Sequence, residues 1–299
     1  MKILNLTLSN SNVDRVAHIR NDEAALEASW ESARVIHFNG AGFLMAGSSL
    51  ELLTPSDITG NGERIFLGEE SGTTYFLWCS ETLLGEEIEY RTLREVSSQL
   101  THLEIGLAVH AQALALWHHS NPFCPKCGSH SEPALGGSVR RCSQNHELYP
   151  RTDPAVIVLV KDKSDRILLG RQAVWPEHRF STFAGFVEAG ESFEQCVIRE
   201  VFEEAGVQVS DIAYLGSQPW PFPQSIMIAF QATIQDPQSA RPDGAEIVEI
   251  RWYDRDGLYD AIKEGTLLLP PSISVARAMI QSWYGSDRPE LPSAETWRS

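Results

Sequence analysis

GFVEAGESFEQCVIREVFEEAGV, Gly185–Val207, is the stretch around which the rest of the chain can be read. Ser192 followed three residues later by Gln195 has the pattern of a capping box and predicts a helix start. Gly206 stands where a glycine closes such a helix. At 100° per residue, Glu200, Glu203 and Glu204 occupy one arc, at i, i+3 and i+4. Val197, Ile198, Val201, Phe202 and Ala205 occupy the other arc, which the pattern expects to be buried. Like charges at this spacing repel by roughly a few tenths of a kcal/mol per pair. Such a cluster is either a solvated acidic face or a cation site. Oxygen-only ligands select a hard ion, Mg²⁺ or Mn²⁺, and such ions commonly share their coordination with substrate phosphates.

The chain around this helix has 299 residues, enough for two domains. Apolar residues make up 42% and charged residues 21%, the balance of a folded soluble protein. The net charge is −16. That excludes a broad basic surface for nucleic acid, which would need Lys and Arg to neutralise phosphates. An anionic substrate would need its repulsion cancelled locally, and a divalent ion does this. No stretch reaches the ~18 uninterrupted apolar residues of a spanning helix, so no membrane partner is expected. The start, MKILNLTLSNSNVDR, lacks the pattern of a secretory signal, and a cytoplasmic location is expected. Five cysteines, two of them in a C-x-x-C, fit a reducing compartment and a metal site better than a disulfide framework.

Along the chain, residues 1–98 read as a mixed α/β domain with alternating runs such as Thr74–Cys79. Residues 99–150 hold a helical run, Leu103–His118, and a short ribbon-like segment with CPKCG at Cys124–Gly128, a Gly-Gly turn at 136–137 and Cys142. Residues 151–285 form the third region. Ala155–Val160 and Ile167–Gly170 predict a hairpin. Strands at Ala213–Gly216 and Ile226–Ile234 follow the central helix, and Ser274–Tyr284 closes the region as a helix. Residues 286–299 read as a polar tail. Cys79 and Cys196 read as ordinary apolar residues.

The spacing G-x5-E-x7-R-E-V-x-E-E-x-G-V is complete here at Gly185, Glu191, Arg199, Glu200, Val201, Glu203, Glu204, Gly206 and Val207. It resembles the Nudix box without a departure. The resemblance implies an α+β chain: a C-terminal Nudix α/β/α sandwich with a mixed sheet, preceded by a small zinc-ribbon-like segment and the N-terminal α/β domain. It also implies metal-assisted attack of water on a nucleoside diphosphate linked to another group. In that reading Glu200 and Glu204 hold Mg²⁺ or Mn²⁺, with Glu203 assisting as ligand or base. Arg199 orients the cluster through an ion pair, Glu191 supports Arg199, and the carbonyl of Ala184 adds a ligand. The spacing leaves open which glutamate is the base.

SQPWPFPQS, Ser217–Ser225, begins ten residues after Val207, the last residue of the box, and is similar to the signature of the NADH pyrophosphatase branch, which also removes NAD caps from RNA 5′ ends. A stiff turn with rings to bury is the plain structural reading of such a loop. The resemblance instead assigns Gln218, Pro219, Trp220, Pro221, Phe222, Pro223, Gln224 and Ser225 to substrate recognition, with Trp220 and Phe222 shaping a wall for a flat ring. It further implies Glu246 as a metal ligand outside the box, a backbone contact at Ala276, base-stacking aromatics at Tyr149 and Phe186, and a phosphate-binding arginine at Arg94. The branch typically supplies zinc with two C-x-x-C pairs. Here Cys124, Cys127 and Cys142 lack a fourth cysteine. His146 completes a Cys3His set, or else lies on the surface of a ribbon that folds without metal.

The substrates implied are NADH or NAD⁺, cut to nicotinamide mononucleotide and AMP, and NAD-capped RNA, acted on by a homodimer. The alternatives are a Nudix hydrolase for ADP-ribose or another dinucleotide, and an inactive zinc-ribbon regulator that binds nucleic acid.

Overall fold

The computed structural model describes residues 4–82 and 89–291. The expected polar tail therefore lies outside the described residues from 292 onward. The chain divides into two compact units, one of residues 4–6, 153–218 and 226–291, the other of residues 7–152 and 219–225.

The first unit is a sheet with helices on both faces. Its strands run Val209–Trp220, Ser225–Ile234, Asp153–Lys161, Ile167–Gln172 and Ile247–Tyr253 in spatial order, with Phe183–Phe186 also paired to Asp153–Lys161. The expected hairpin is present, with Val160 opposite Leu168. The central strand explains the layering. Its side chains alternate between faces, and both faces are covered, so AVIVLV is apolar throughout. Ile157 and Leu159 join a core with Leu258, Ile262, Val275, Met279 and Ile280 from the helices Arg255–Lys263 and Val275–Tyr284. Val156, Val158 and Val160 join a second core with Cys196, Val197, Val201 and Ala205 of the helix Phe193–Ala205. That second core fixes the helix bearing the clustered glutamates against the sheet.

The second unit carries a sheet ordered Ser49–Leu50, Phe43–Ala46, Arg34–Phe38, Thr73–Cys79 and Glu63–Glu70, with Tyr90–Arg91 paired to Phe43–Ala46. Arg34–Phe38 and Thr73–Cys79 are parallel, while Phe43–Ala46 pairs antiparallel with Arg34–Phe38, Ser49–Leu50 and Tyr90–Arg91, and Glu63–Glu70 antiparallel with Thr73–Cys79. The predicted helix spans His102–Ser120. Thr101 and Glu104 form its capping box, and Glu104 also accepts the Leu50 N–H at 2.9 Å. Its Leu107, Ala108, Ala111 and Leu114 pack into the same core as Ile36, Phe38 and Leu77 of the sheet. A three-stranded ribbon, Ser131–Ala134, Val139–Cys142 and Glu147–Leu148, follows.

Candidate active site and metal centres

Both ends of the helix Phe193–Ala205 follow from local chemistry. Ser192 Oγ accepts the Gln195 N–H at 3.2 Å and Gln195 Oε1 accepts the Ser192 N–H at 3.0 Å. Gly206 closes the helix at φ 68°, the left-handed conformation that costs a glycine little. The orientation of the helix differs from the sequence expectation. Cys196, Val197, Val201 and Ala205 are buried, but Ile198 and Phe202 are exposed, and Glu204 is buried at 4% exposure. The buried stripe follows the i, i+4 rows 196–200–204 and 197–201–205. Two of the three carboxylates therefore turn inward and only Glu203 remains on the outer side, its side chain 56% exposed against 13% for Glu200. A division by polarity alone misplaces Ile198 and Phe202, because the inward row is reserved for the charged groups.

Arg199 organises the cluster. Its Nε and Nη2 donate to the two oxygens of Glu191, each at 2.9 Å, a bidentate pair. Nη1 donates to Glu200 at 2.7 Å and to Glu203 at 3.0 Å, and Nη2 also reaches the Phe186 carbonyl at 2.9 Å. Glu191 in turn accepts the Glu188 N–H at 3.0 Å. The Arg199 hydrogen bonds lower the Glu191 carboxyl to about 2. The same pairing raises the Arg199 guanidinium above its ordinary value.

Glu204 has the opposite environment. Burial pushes its carboxyl up to about 8, with the negative charges of Glu246 and Glu200 adding to the effect. The Ala184 N–H hydrogen-bonds to it, yet its Oε2 is buried without a partner. Burial raises Glu200 as well, Arg199 offsetting part of the rise. Glu246 belongs to the same field: its charge acts on both Glu200 and Glu204. Gln172 Nε2 donates to Glu246 Oε1 at 2.8 Å, and Asp243 accepts the N–H groups of Glu246 and Ile247 at 3.0 and 2.7 Å. Sequence reading missed Gln172 and Asp243. The Asp243–Gly244 turn ahead of Glu246 was the available signal.

An orphaned, buried carboxylate oxygen surrounded by like charge is what a divalent cation would satisfy. The donors are all oxygens, the set that suits Mg²⁺ or Mn²⁺. The residues present therefore fit such an ion.

In the ribbon, Cys124, Cys127, Cys142 and His146 place their ligand atoms within 4.8 Å of one another. Cys124 Sγ lies 3.6 Å from His146 Nδ1, and Cys127 Sγ lies 3.7 Å from Cys142 Sγ. Two turns produce this. The Gly128 N–H returns to the Cys124 carbonyl at 2.8 Å, and the Asn145 N–H to the Cys142 carbonyl at 2.9 Å. Asn145 has φ 57°, which asparagine tolerates better than most residues. The turn sets His146 beside the cysteines, so the surface-histidine alternative does not describe this geometry. Three thiols and an imidazole form a tetrahedral zinc set.

Residues 151–269 match the NUDIX domain family, and residues 119–149 match the NADH pyrophosphatase zinc ribbon domain. A relative from Mycobacterium bovis named "NAD-capped RNA hydrolase NudC" is 38% identical over 92% of this chain and 94% of its own length. The chain belongs to the Nudix hydrolases, in the NADH pyrophosphatase branch. A Schizosaccharomyces pombe "NAD-capped RNA hydrolase" is 34% identical over 68% of this chain and 60% of its own. "NAD-capped RNA hydrolase NUDT12" of Macaca fascicularis is 36% identical over 62% and 43% respectively.

The α+β class read from the sequence holds for this Nudix chain. In its second unit, the loop Pro219–Ser225 packs by its rings. Trp220 and Phe222 are half-buried against the core that includes Leu107 and Phe38, and they meet edge-on at 5.0 Å. The Arg94 guanidinium lies 4.0 Å from the Phe222 ring centre and 5.1 Å from that of Trp220. Gln112 Nε2 donates to the Pro221 carbonyl at 2.6 Å. Trp220 and Phe222 are thus committed in part to packing and to Arg94. Gln218 is fully buried in the first unit, its Nε2 donating to the Ile273 carbonyl at 2.9 Å. Through that bond its side chain anchors the strand Val209–Trp220 that leads into the loop. Pro223 is exposed, and Gln224 and Ser225 are half-buried.

Among the remaining expected contacts, Phe186 and Tyr149 are exposed at 60% and 65%, large for aromatic side chains. The Tyr149 hydroxyl donates to Glu147 at 2.7 Å, which leaves the ring face accessible. Ala276 is buried in the first turn of Val275–Tyr284, a helix capped by Ser274. Cys196 is buried and Cys79 partly so. Among the described residues, no helix is long and apolar enough to cross a membrane.

Proposed function

We propose that this Nudix chain hydrolyses the diphosphate of NAD(H), releasing nicotinamide mononucleotide and AMP, and removes NAD caps from RNA 5′ ends by the same cleavage. One observation carries the reading. The chain aligns nearly end to end with a relative named "NAD-capped RNA hydrolase NudC", and it keeps the whole carboxylate cluster around a buried, unpartnered Glu204 oxygen.

Mg²⁺ or Mn²⁺, held by Glu200, Glu203, Glu204, Glu246 and the Ala184 carbonyl, would neutralise the diphosphate and lower the pKa of the attacking water. Arg199 keeps Glu200 and Glu203 aimed while Glu191 fixes Arg199 from behind. Water adds to one phosphorus, the bridging P–O bond breaks, and two monophosphates leave. We assign acceptance of the water's proton to Glu203, the exposed member, because it can return that proton to solvent. Arg94 supplies a cation for phosphate, oriented by the Phe222 ring. Tyr149 and Phe186 offer ring faces for stacking, worth about 1–3 kcal/mol per base. Gln224, Ser225 and the backbone of Ala276 remain recognition contacts. The ribbon holds Zn²⁺ through Cys124, Cys127, Cys142 and His146. The working form is a cytoplasmic homodimer.

The test is direct. Purified protein is incubated with NADH, NAD⁺, ADP-ribose and NAD-capped RNA with Mg²⁺ or Mn²⁺, and AMP or uncapped RNA is measured. Release from NAD(H) and capped RNA that is lost in Glu204→Gln is expected. Preference for ADP-ribose over both would move the chain to another substrate class, and equal rates for wild type and Glu204→Gln would end the hydrolase reading.

A further inference from the structure

The segment of residues 15–21 in the second unit, which ends in the turn Ala17–Asn21, brings two cations together with no ion pair to either among the described residues. Arg20 Nη2 donates to the Arg15 carbonyl at 3.2 Å. Arg15 Nη1 and Arg20 Nε are buried and have no hydrogen-bond partner. Neither arginine forms an ion pair among the described residues, although the chain carries a net charge of −16. The nearest carboxylates in sequence are occupied by backbone. Asp14 accepts the Val16 N–H at 2.9 Å, and Asp22 accepts the Ala25 N–H at 3.0 Å as the cap of the next helix. Burial and the Arg20 charge lower the Arg15 guanidinium to about 10.

The turn is also held in place. Asp14 pairs with Glu69 of the sheet through two backbone hydrogen bonds, at 2.9 and 2.8 Å. Val16 sits at φ 41°, a conformation that a β-branched residue rarely adopts. Val16 and Ile19 pack against the core of Leu26, Val35, Phe66 and Phe76. A strained residue that the surroundings enforce, next to two mutually repelling cations, is a structure kept for a purpose other than stability.

Arg20 lines a groove of about 1060 Å³ whose other walls include Arg64, His130 and Arg141. Those three are already neutralised, by Glu27, Glu132 and Glu147. Glu27 and Glu132 of the groove wall are thus the partners of Arg64 and His130, and Glu23, also on the wall, forms no ion pair with Arg20. Arg20 is therefore a groove cation without an ion pair among the described residues, with Arg15, five residues earlier, adding to its field. Two guanidinium groups with spare donors suit an oxyanion with several acceptors.

We propose that Arg15 and Arg20 form a phosphate site, separate from the carboxylate cluster, that takes a backbone phosphate of a single-stranded RNA or a free phosphate group. The RNA source rests on the capped-RNA reading above. A local pair of this kind lets an acidic protein hold one point of a polyanion, which its overall charge would otherwise repel.

The experiment measures binding, not hydrolysis, so its outcome is independent of the catalytic reading. A labelled, uncapped oligouridylate is titrated by anisotropy over a range of salt, and the melting temperature is compared in phosphate and in chloride at equal ionic strength. Wild type, Arg15→Gln/Arg20→Gln and Arg15→Lys/Arg20→Lys are used. If RNA is the source, the Gln variant binds the oligonucleotide roughly tenfold more weakly, its log–log salt slope falls by about 0.7 for each phosphate lost, and the Lys variant recovers part of both. If free phosphate is the source, phosphate raises the melting temperature of wild type but not of the Gln variant, and the oligonucleotide arm is unchanged. In chloride the Gln variant melts no lower than wild type, because a repulsion has been removed; a structural role for the arginines requires the opposite. The proposal is overturned if neither ligand distinguishes wild type from the Gln variant, or if that variant is destabilised in chloride.

Discussion

Gly185 lies against the carboxyl group of Glu200 so closely that no Cβ fits between them. The contact arises because the strand Phe183–Phe186, paired at Gly185 with Val156, runs past the helix at that point. A methyl group there would push the Glu200 carboxylate away from Glu204 while leaving the strand pairing intact. Gly185→Ala is therefore expected to fold but to lose about 100-fold or more in turnover, the scale of an ångström's misplacement at a reacting centre. Steady-state rates alongside melting curves check this. Turnover within a few fold of wild type would mean that Glu200 has slack the geometry does not suggest.

Arg199 uses its fork in full, holding Glu191 with two donors and reaching Glu200, Glu203 and the Phe186 carbonyl with others. Lysine offers a point charge and cannot span these acceptors. Arg199→Lys is expected to weaken divalent-ion affinity by about 10- to 100-fold, as loss of a partner that orients metal ligands does. Activity titrated with Mg²⁺ or Mn²⁺ should show the midpoint shifted upward. An unchanged midpoint with a lower plateau would instead place Arg199 on the substrate.

The site was legible to different depths. Glu200, Glu203, Glu204 and the Ser192 and Gly206 ends could be read because a helix repeats regularly and its caps are local. The inward turn of Glu204 could not, since periodicity assigns charged groups to solvent and only the packing of Val156 and Val158 against Val197 and Val201 reveals the direction. The strand Phe183–Phe186 was missed because four residues give too short a pattern, and the helix Arg255–Lys263 because few of its residues are apolar. Gln172 and Glu246, 74 residues apart, meet only through the pairing of their strands' ends. In the loop after the box, the residue types suggested recognition, while burial of Gln218 and the ring contacts of Arg94 depend on distant elements.

His146 replaces the family's usual fourth cysteine, one residue later in the turn, and its Nδ1 sits 3.6 Å from Cys124 Sγ. Purified protein is expected to carry roughly one zinc per chain, and His146→Ala to lose it on dialysis, while His146→Cys retains it. Elemental analysis gives the count. Because the ribbon also packs Cys124 and Cys142 against Trp117, zinc loss should lower the melting temperature. Full zinc in His146→Ala would show that three thiolates suffice.

Glu204 makes stability depend on pH in a direction that can be worked out. Burial holds its folded carboxyl up at about 8, against an ordinary value of 4.5. Between those values the folded chain keeps a proton that the unfolded chain has lost, so stability falls as pH rises through this window. The contribution is complete below the lower value and gone above the upper one. At about 1.4 kcal/mol per pKa unit, its ceiling is about 5 kcal/mol. Without divalent ion, wild type is expected to melt several degrees lower near pH 8 than near pH 5.5, and Glu204→Gln to flatten that fall because an amide does not titrate. Mg²⁺ should raise the melting temperature more at the higher pH, where a cation takes the place of the missing proton. Parallel slopes for the two proteins would assign the titration to another group.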